Sequence, residues 1–194
     1  MNNGNGAVID GNGAVIAGNG KVFDIDLERC SGCFACVVAC MDQNDTAAEG
    51  AGRFRDVTVI GQAWSVTKRP GYVSLACMHC DDAPCIMGCP TGCLRRDGNG
   101  LVVAEDVLCI GCHSCIINCP YGAPKFGEDG KAAKCNGCAE RVEYGLAPAC
   151  VRVCPTKALK YDTPEAIGEV KKGKLLRKIM AAEKNNGGPA LANE

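Results

Sequence analysis

Sixteen of the chain's seventeen cysteines fall into four groups of four, and their spacing restricts the fold more than any other feature. The first group, Cys30, Cys33, Cys36 and Cys40 in CSGCFACVVAC, has gaps of two, two and three residues. The second, Cys77, Cys80, Cys85 and Cys89 in CMHCDDAPCIMGCP, widens the middle gap to four. The third, Cys109, Cys112, Cys115 and Cys119 in CIGCHSCIINCP, returns to two, two and three. The fourth is split: Cys135 and Cys138 in CNGC are followed, after eleven residues, by Cys150 and Cys154 in CVRVCP. Three groups end in Cys-Pro, and the first has Met41 in that place.

A cubane iron-sulfur cluster needs four thiolates at its corners, and a short CxxCxxC loop wraps three of them. The fourth comes from elsewhere: in two-cluster ferredoxins the last cysteine of each run, the one before proline, ligates the other cluster. Four runs therefore predict four 4Fe-4S clusters with crossed ligation. Zinc is the rival donor-set reading, which would make the chain a structural zinc scaffold. Zinc sites commonly use two separated CxxC pairs, which a CxxCxxC run followed by x3-C overspecifies. A disulfide framework fits worse, because such scaffolds are smaller and the N-terminus shows no secretory pattern.

At 194 residues the chain is one domain or two small ones fused. With four Phe, four Tyr and one Trp, large side chains are too few for an ordinary core. Clusters are expected to replace much of it, so that metal binding and folding form one equilibrium. A net charge of -1 excludes the basic footprint of a nucleic-acid partner. Apolar stretches fall short of the ~20 residues that cross a bilayer, so no direct membrane insertion is expected. Seventeen thiols suit a reducing, cytoplasmic setting.

The expected fold class is α+β: two pseudo-symmetric ferredoxin-like modules, each with two 4Fe-4S clusters, a small β insertion and a C-terminal helix. Residues 1-20 repeat Gly-Asn-Gly with a seven-residue period, reading either as a low-complexity tail or as a glycine-punctuated hairpin that serves assembly. Residues 21-162 form the four-cluster domain. Its outer module comes from 21-40 and 134-162, closed by pairing of the strand in KVFDIDL with that in ALKYD. Its inner module spans 72-125, with a turn at Asp97 to Gly100 and YVSL entering the second run. The insertion, 41-71, alternates as a hairpin with Gly61 as its turn and contains Trp64, read as local packing or an interface anchor. In 163-194, Thr163 and Pro164 open a helix whose apolar residues Ile167, Val170, Leu175, Leu176 and Ile179 lie against the module or a partner, ahead of a disordered end.

From Cys30 to Leu159, about two thirds of the chain, the sequence resembles the iron-sulfur electron-transfer subunits of the dimethyl sulfoxide reductase family of molybdenum and tungsten oxidoreductases. The likeness lies in CSGCFACVVACMDQND without a proline, HCDDAPCIMGCPTGCL, CIGCHSCIINCPYGAPKF and KCNGCAERVEYGLAPACVRVCPTKAL. It implies that Cys30, Cys33 and Cys36 share a cluster with Cys154. Cys135, Cys138 and Cys150 would take Cys40; Cys77, Cys80 and Cys85 would take Cys119; and Cys109, Cys112 and Cys115 would take Cys89. The seventeenth cysteine, Cys93, stands where the family usually has Ala and reads as a small buried residue. His79 and His113, beside cluster cysteines, either tune potential or only pack. Lys125 and Lys134 either answer reduced-cluster charge or face solvent.

The resemblance implies a relay that is not catalytic on its own. It would pass single electrons between a large pterin-containing catalytic subunit, with molybdenum or tungsten, and a further redox partner. The nearest alternative is a polyferredoxin serving a tungsten aldehyde oxidoreductase, a hydrogenase or a formate dehydrogenase, one version of which self-associates through residues 1-20 into filaments. Subunits of this kind can also be exported folded with a signal-bearing partner, an alternative to the cytoplasm.

Overall fold

The cysteine runs leave little room for long elements, and the computed structural model, which describes residues 7–9, 15–17, 20–46, 52–60 and 70–185, is a succession of short ones. In chain order they are β1 (Ala7–Ile9), β2 (Val15–Ala17), β3 (Val22–Ile25), α1 (Ala35–Gln43), β4 (Asp56–Ile60) and β5 (Gly71–Leu75). Next come α2 (Pro84–Met87), β6 (Leu94–Arg96), β7 (Val102–Ala104) and α3 (Ser114–Asn118). The chain continues through β8 (Lys125–Phe126), β9 (Ala132–Ala133), α4 (Ala139–Glu143), α5 (Ala149–Val153), β10 (Leu159–Asp162) and α6 (Pro164–Asn185). Among the described residues no helix is long and apolar enough to cross a membrane.

Among the described residues the strands form five separate antiparallel pairs. β3 pairs with β10 in the register Val22↔Asp162 to Ile25↔Leu159, so the strand before the first cysteine run meets the strand after the last. This is the closure expected from KVFDIDL and ALKYD. Phe23 and Tyr161 face each other across it with ring centroids 4.8 Å apart. The turn at Asp97 to Gly100 joins β6 to β7, and Asp97 Oδ1 accepts the N–H groups of Asn99 and Leu101 at 2.9 and 2.8 Å. β8 and β9 make a further small hairpin that the sequence reading did not anticipate.

One expectation changes. The YVSL strand, β5, pairs with β4 of the insertion from Asp56↔Leu75 to Ile60↔Gly71, so the insertion is stitched to the entry of the second run. Its connecting segment, with Gly61 and Trp64, lies outside the described residues. At the N-terminus, β1 pairs with β2, Ala7↔Ala17 to Ile9↔Val15.

Helix α1 packs on α5, and α2 on α3. α6 starts as expected, with Thr163 Oγ1 accepting the Ala166 N–H at 3.3 Å and Pro164 at the first helical position. It docks through Ile167 and through Lys171 to Asp24 and Lys174 to Asp26, at 2.5 and 2.7 Å. Val170, Leu175, Leu176 and Ile179 stay exposed. The end of the chain, 186–194, lies outside the described residues.

Candidate iron-sulfur sites

Each loop turns through a left-handed residue just before its second cysteine. Gly32, Gly111 and Gly137 have φ of 69°, 67° and 69°. Glycine suits this backbone, and at all three positions it is also required by contact, a Cβ on Gly111 falling 2.8 Å from the Gly130 carbonyl oxygen. A Cβ on Gly32 would lie 2.5 Å from the Tyr72 ring, and one on Gly137 would lie 2.6 Å from Leu101. In the second run the same place belongs to His79, with φ 51°. These turns aim backbone N–H groups at thiols: His79 N–H donates to Cys77 Sγ at 3.5 Å and Gly137 N–H to Cys135 Sγ at 3.4 Å. The widened gap of the second run is tied down by Arg96, whose guanidinium donates to the carbonyls of Cys80 and Asp81.

The last thiol of each run is set by the residues immediately C-terminal to it. In α3 and α5 the helix stops at the cysteine, since the next residue is proline and the residue before proline is driven out of helical geometry. The chain then turns back and offers donors to the sulfur. Ala158 N–H reaches Cys154 Sγ at 3.2 Å, and Ala123 N–H reaches Cys119 Sγ at 3.4 Å. The Cys-Pro-Thr steps add a hydroxyl, Thr156 Oγ1 at 3.6 Å from Cys154 Sγ and Thr91 Oγ1 at 3.7 Å from Cys89 Sγ. Burial alone would push Cys89 up, but the N–H of Leu94 and the Thr91 hydroxyl outweigh it and bring the thiol down to about 7. Cys40 has no proline after it and sits within α1; burial and the neighbouring Cys135 push it up to about 12.

Thiols from different runs meet in two places. Cys30, Cys33, Cys36 and Cys154 line one small cavity, although Cys154 lies in a different run from the other three. Cys89, Cys109, Cys112 and Cys115 line another, again from two runs. In the interior, Cys40 sits close enough to Cys135, Cys138 and Cys150 for their charges to affect it, and Cys77 and Cys85 are similarly close to Cys119. Cys80, half-buried, stands in the Arg96-held loop with Cys77.

The three apolar clusters of the core each join two of these sets. One holds Cys36 and Cys154 with Cys150, the next Cys40 and Cys135 with Cys77 and Cys119, and the third Cys85 with Cys115, Cys89 and Cys109.

The donor chemistry fits 4Fe-4S clusters. Burial pushes the thiols of Cys77, Cys85, Cys115, Cys135, Cys138 and Cys150 up, so free thiolates are unfavourable where they stand. Iron reverses that balance, because a coordinating thiol is deprotonated outright.

Charged and polar neighbours sit among these sets. Arg55 is only 3 % exposed, and Lys134 only 5 %. Lys134 Nζ donates to the carbonyl of Cys135 at 2.6 Å and to that of Val102, so it faces the interior rather than solvent. His79 Nδ1 accepts the Val102 N–H at 3.0 Å, leaving Nε2 to carry the proton 3.7 Å from Cys135 Sγ. Burial, then the charges of Lys134 and Arg55, hold His79 down at about 3, so it is neutral at physiological pH. His113 packs on Phe126 with ring centroids 3.9 Å apart, and Lys125 is exposed, with Nζ 3.3 Å from the Gly122 carbonyl. Cys93, 2 % exposed, packs as expected but also lines the cavity of the Cys109 set.

The sequence reading missed Arg55, Ser74, Arg96 and the two threonines. A Thr two residues after a Cys-Pro cysteine was a usable signal. Arg55, in a stretch read only for its alternation, offered none.

Fold and donor sets together define a ferredoxin-type 4Fe-4S protein. Residues 69–163 match the model of the 4Fe-4S dicluster domain. The chain is 39% identical over 153 residues to the probable anaerobic dimethyl sulfoxide reductase chain YnfG of Escherichia coli (strain K12), covering 75% of this chain and 74% of that protein. It is 43% identical over 139 residues to the thiosulfate reductase electron transfer subunit PhsB of Salmonella typhi, with 70% and 72% covered. With the nitrate-inducible formate dehydrogenase iron-sulfur subunit of Escherichia coli (strain K12) it shares 36% over 163 residues, 75% of this chain and 55% of that protein. The chain belongs to the iron-sulfur electron-transfer subunits of the dimethyl sulfoxide reductase type of molybdopterin oxidoreductases.

Proposed function

We propose that the chain passes single electrons along a row of four 4Fe-4S clusters, between a large pterin-containing catalytic subunit carrying molybdenum or tungsten and a further redox partner. The observation that carries this reading is the meeting of thiols from separate runs on single cavities, Cys154 with Cys30, Cys33 and Cys36, and Cys89 with Cys109, Cys112 and Cys115. The two interior sets are then Cys40 with Cys135, Cys138 and Cys150, and Cys119 with Cys77, Cys80 and Cys85. The clusters supply reversible one-electron storage.

The chain's own part is to hold those sets in order. The three shared apolar clusters support a row that runs from the Cys30 set, through the Cys135 set and the Cys77 set, to the Cys109 set. Cys33 and Cys112, the two exposed cysteines, belong to its two end sets, where electrons would enter and leave. Packing of α1 on α5 and of α2 on α3 supports the pseudo-symmetric division into an outer module (21-40 and 134-162) and an inner one (72-125), with the insertion 41-71 between. A reducing, cytoplasmic compartment suits this reading, with export in company of a folded partner as the alternative.

Anaerobic isolation of the native complex with metal analysis tests it. Iron together with molybdenum or tungsten and a large co-eluting chain is the expected outcome. Iron alone, on a free or self-assembled chain, would instead favour a stand-alone polyferredoxin. The β1–β2 hairpin motivates that second reading, since a lone two-stranded pair is marginal and leaves both edges to be covered. Deleting residues 1-20 should then reduce assembly size in light scattering; an unchanged size removes the hairpin from any assembly role.

A further inference from the structure

Arg55 is a buried cation that no carboxylate among the described residues answers. It is carried on the short stretch leading into β4, and β4's partner β5 supplies its hydrogen bonds. Nη1 donates to Ser74 Oγ at 3.0 Å and reaches the Ser74 carbonyl at 3.4 Å. Ser74 is itself only 2 % exposed, and its Oγ stands 3.3 Å from Cys36 Sγ. Nε is fully buried and has no hydrogen-bond partner. A guanidinium in this state is costly unless an anion lies beside it, because burial removes water from a charge that cannot be neutralised.

Thiols of two different sets lie around it: through Ser74 it reaches Cys36, and Phe54, its neighbour in the chain, packs in one apolar cluster with Cys40 and Cys135. Cys150, Cys135 and Cys40 belong to one interior set and Cys36 to the neighbouring end set. Their charges outweigh the effect of burial and hold the pKa of Arg55 above its ordinary value. A 4Fe-4S cluster with four thiolate ligands is a net anion, and its reduced level carries one more negative charge. A fixed positive charge next to it therefore favours reduction, charge being one of the levers on cluster potential.

We propose that Arg55 is the shared counter-charge of the Cys30–Cys33–Cys36–Cys154 set and the Cys40–Cys135–Cys138–Cys150 set, raising the potentials of both and holding them close enough together for an electron to pass between them. The inference rests on the four-set ligand reading. Arg55 neither takes up nor releases a proton as the electron crosses: what one set's cluster loses the other gains, and the cation stays between them. Ser74 links the guanidinium to the Cys36 sulfur, so its hydroxyl acts on the end set only.

The test is an anaerobic redox titration of the holo-protein, followed by electron paramagnetic resonance, in Arg55→Met, Arg55→Lys and Ser74→Ala variants, each checked for iron content. With iron intact, Arg55→Met should make two of the four centres harder to reduce, by at least tenfold in their reduction equilibrium, about 59 mV for a one-electron couple. Arg55→Lys should recover most of that loss, and Ser74→Ala should lower one of the same two centres by less. If all four potentials stay in place in iron-replete Arg55→Met protein, or all four move together, the proposal is overturned. It is also overturned if Arg55→Lys falls as far as Arg55→Met. Should Arg55→Met not hold its clusters, the Lys and Ser74 variants decide: unchanged potentials in Ser74→Ala with a full loss in Arg55→Lys reject it. An iron count short of four clusters in the unmodified protein would be a failure of the ligand reading, seen before any variant is made.

Discussion

Cys40 and Cys154 hold the same place in their runs, the last thiol after a three-residue spacer, yet the chain handles them in opposite ways. After Cys154 comes proline; α5 stops, and the returning backbone points Ala158 N–H at the sulfur. After Cys40 comes Met41; α1 runs on to Gln43, and the sulfur is met by the side chain of Asn44, with Nδ2 at 3.6 Å from Sγ and 2.8 Å from the Cys40 carbonyl. Burial acts to raise Cys154, but the N–H donors of Leu159 and Ala158 and the Thr156 hydroxyl outweigh it and leave the thiol below its ordinary value, whereas burial carries Cys40 up to about 12. One residue after the thiol thus decides whether a helix ends there and whether backbone or side chain solvates the sulfur. The helical alternative lets α1 grow to nine residues, long enough to pack along α5.

Both arrangements should vanish when iron is removed, which is the largest effect expected. Anaerobic chelation should collapse helical circular dichroism and leave no cooperative thermal transition, since clusters stand in for a conventional core. A chelated protein that kept its helix signal and its transition would show that the apolar clusters suffice alone. Next in size, Met41→Pro imposes the Cys-Pro form on the first run. Proline in a helix interior costs about 3 kcal/mol or more, so thermal stability should fall sharply. A neutral result would mean that the continuation of α1 past Cys40 does not matter.

A smaller effect is expected at Cys93, which shares a cavity with four other thiols but packs as core. Cys93→Ala should keep the full iron content and lose about 1 kcal/mol of stability, the common range for a buried truncation. Loss of one cluster's iron would make it a ligand instead. The smallest concerns α6. Lys174 pairs with Asp26 at 2.7 Å and with Glu28 at 3.0 Å, near the surface, where such pairs contribute little. Burial acts to raise Asp26, but the Lys174 ammonium outweighs it and the net shift is down. A carboxylate lowered on folding adds stability above its unfolded pKa and gives it up as pH falls through the folded one. The small deficit of Lys174→Ala should therefore be present at neutral pH and close as pH drops below 3.8. A deficit that persisted in acid would place the effect in packing of the lysine stem.

The cofactor type, the closing pair β3–β10 and the Asp97 hairpin were all readable in the sequence, because each rests on a short-range rule: ligand spacing, alternation, or turn chemistry. What escaped was non-local. The pairing of β5 with β4 depends on which strand is free to accept it, and nothing in YVSL names its partner. Arg55 looked like one more polar residue in an alternating strand, and only the fold shows that it lies beside thiols of two runs. Lys134 was left open between solvent and interior, and burial under the Val102 and Cys135 carbonyls decides it. His79 was singled out for standing beside cysteines of its own run, whereas its ring reaches Cys135 in another run.

Crossed ligation is the claim on which the row, the closure and the role of Arg55 all depend. The most direct test is to compare Cys154→Ala with Cys40→Ala by Mössbauer spectroscopy and electron paramagnetic resonance of iron-57 protein. The account predicts that each variant alters a different single centre: Cys154→Ala the one held by Cys30, Cys33 and Cys36, and Cys40→Ala the one held by Cys135, Cys138 and Cys150. If Cys154→Ala instead altered the centre of Cys135 and Cys138 and left the Cys30 centre intact, each run would close on itself, and the crossed arrangement would be wrong.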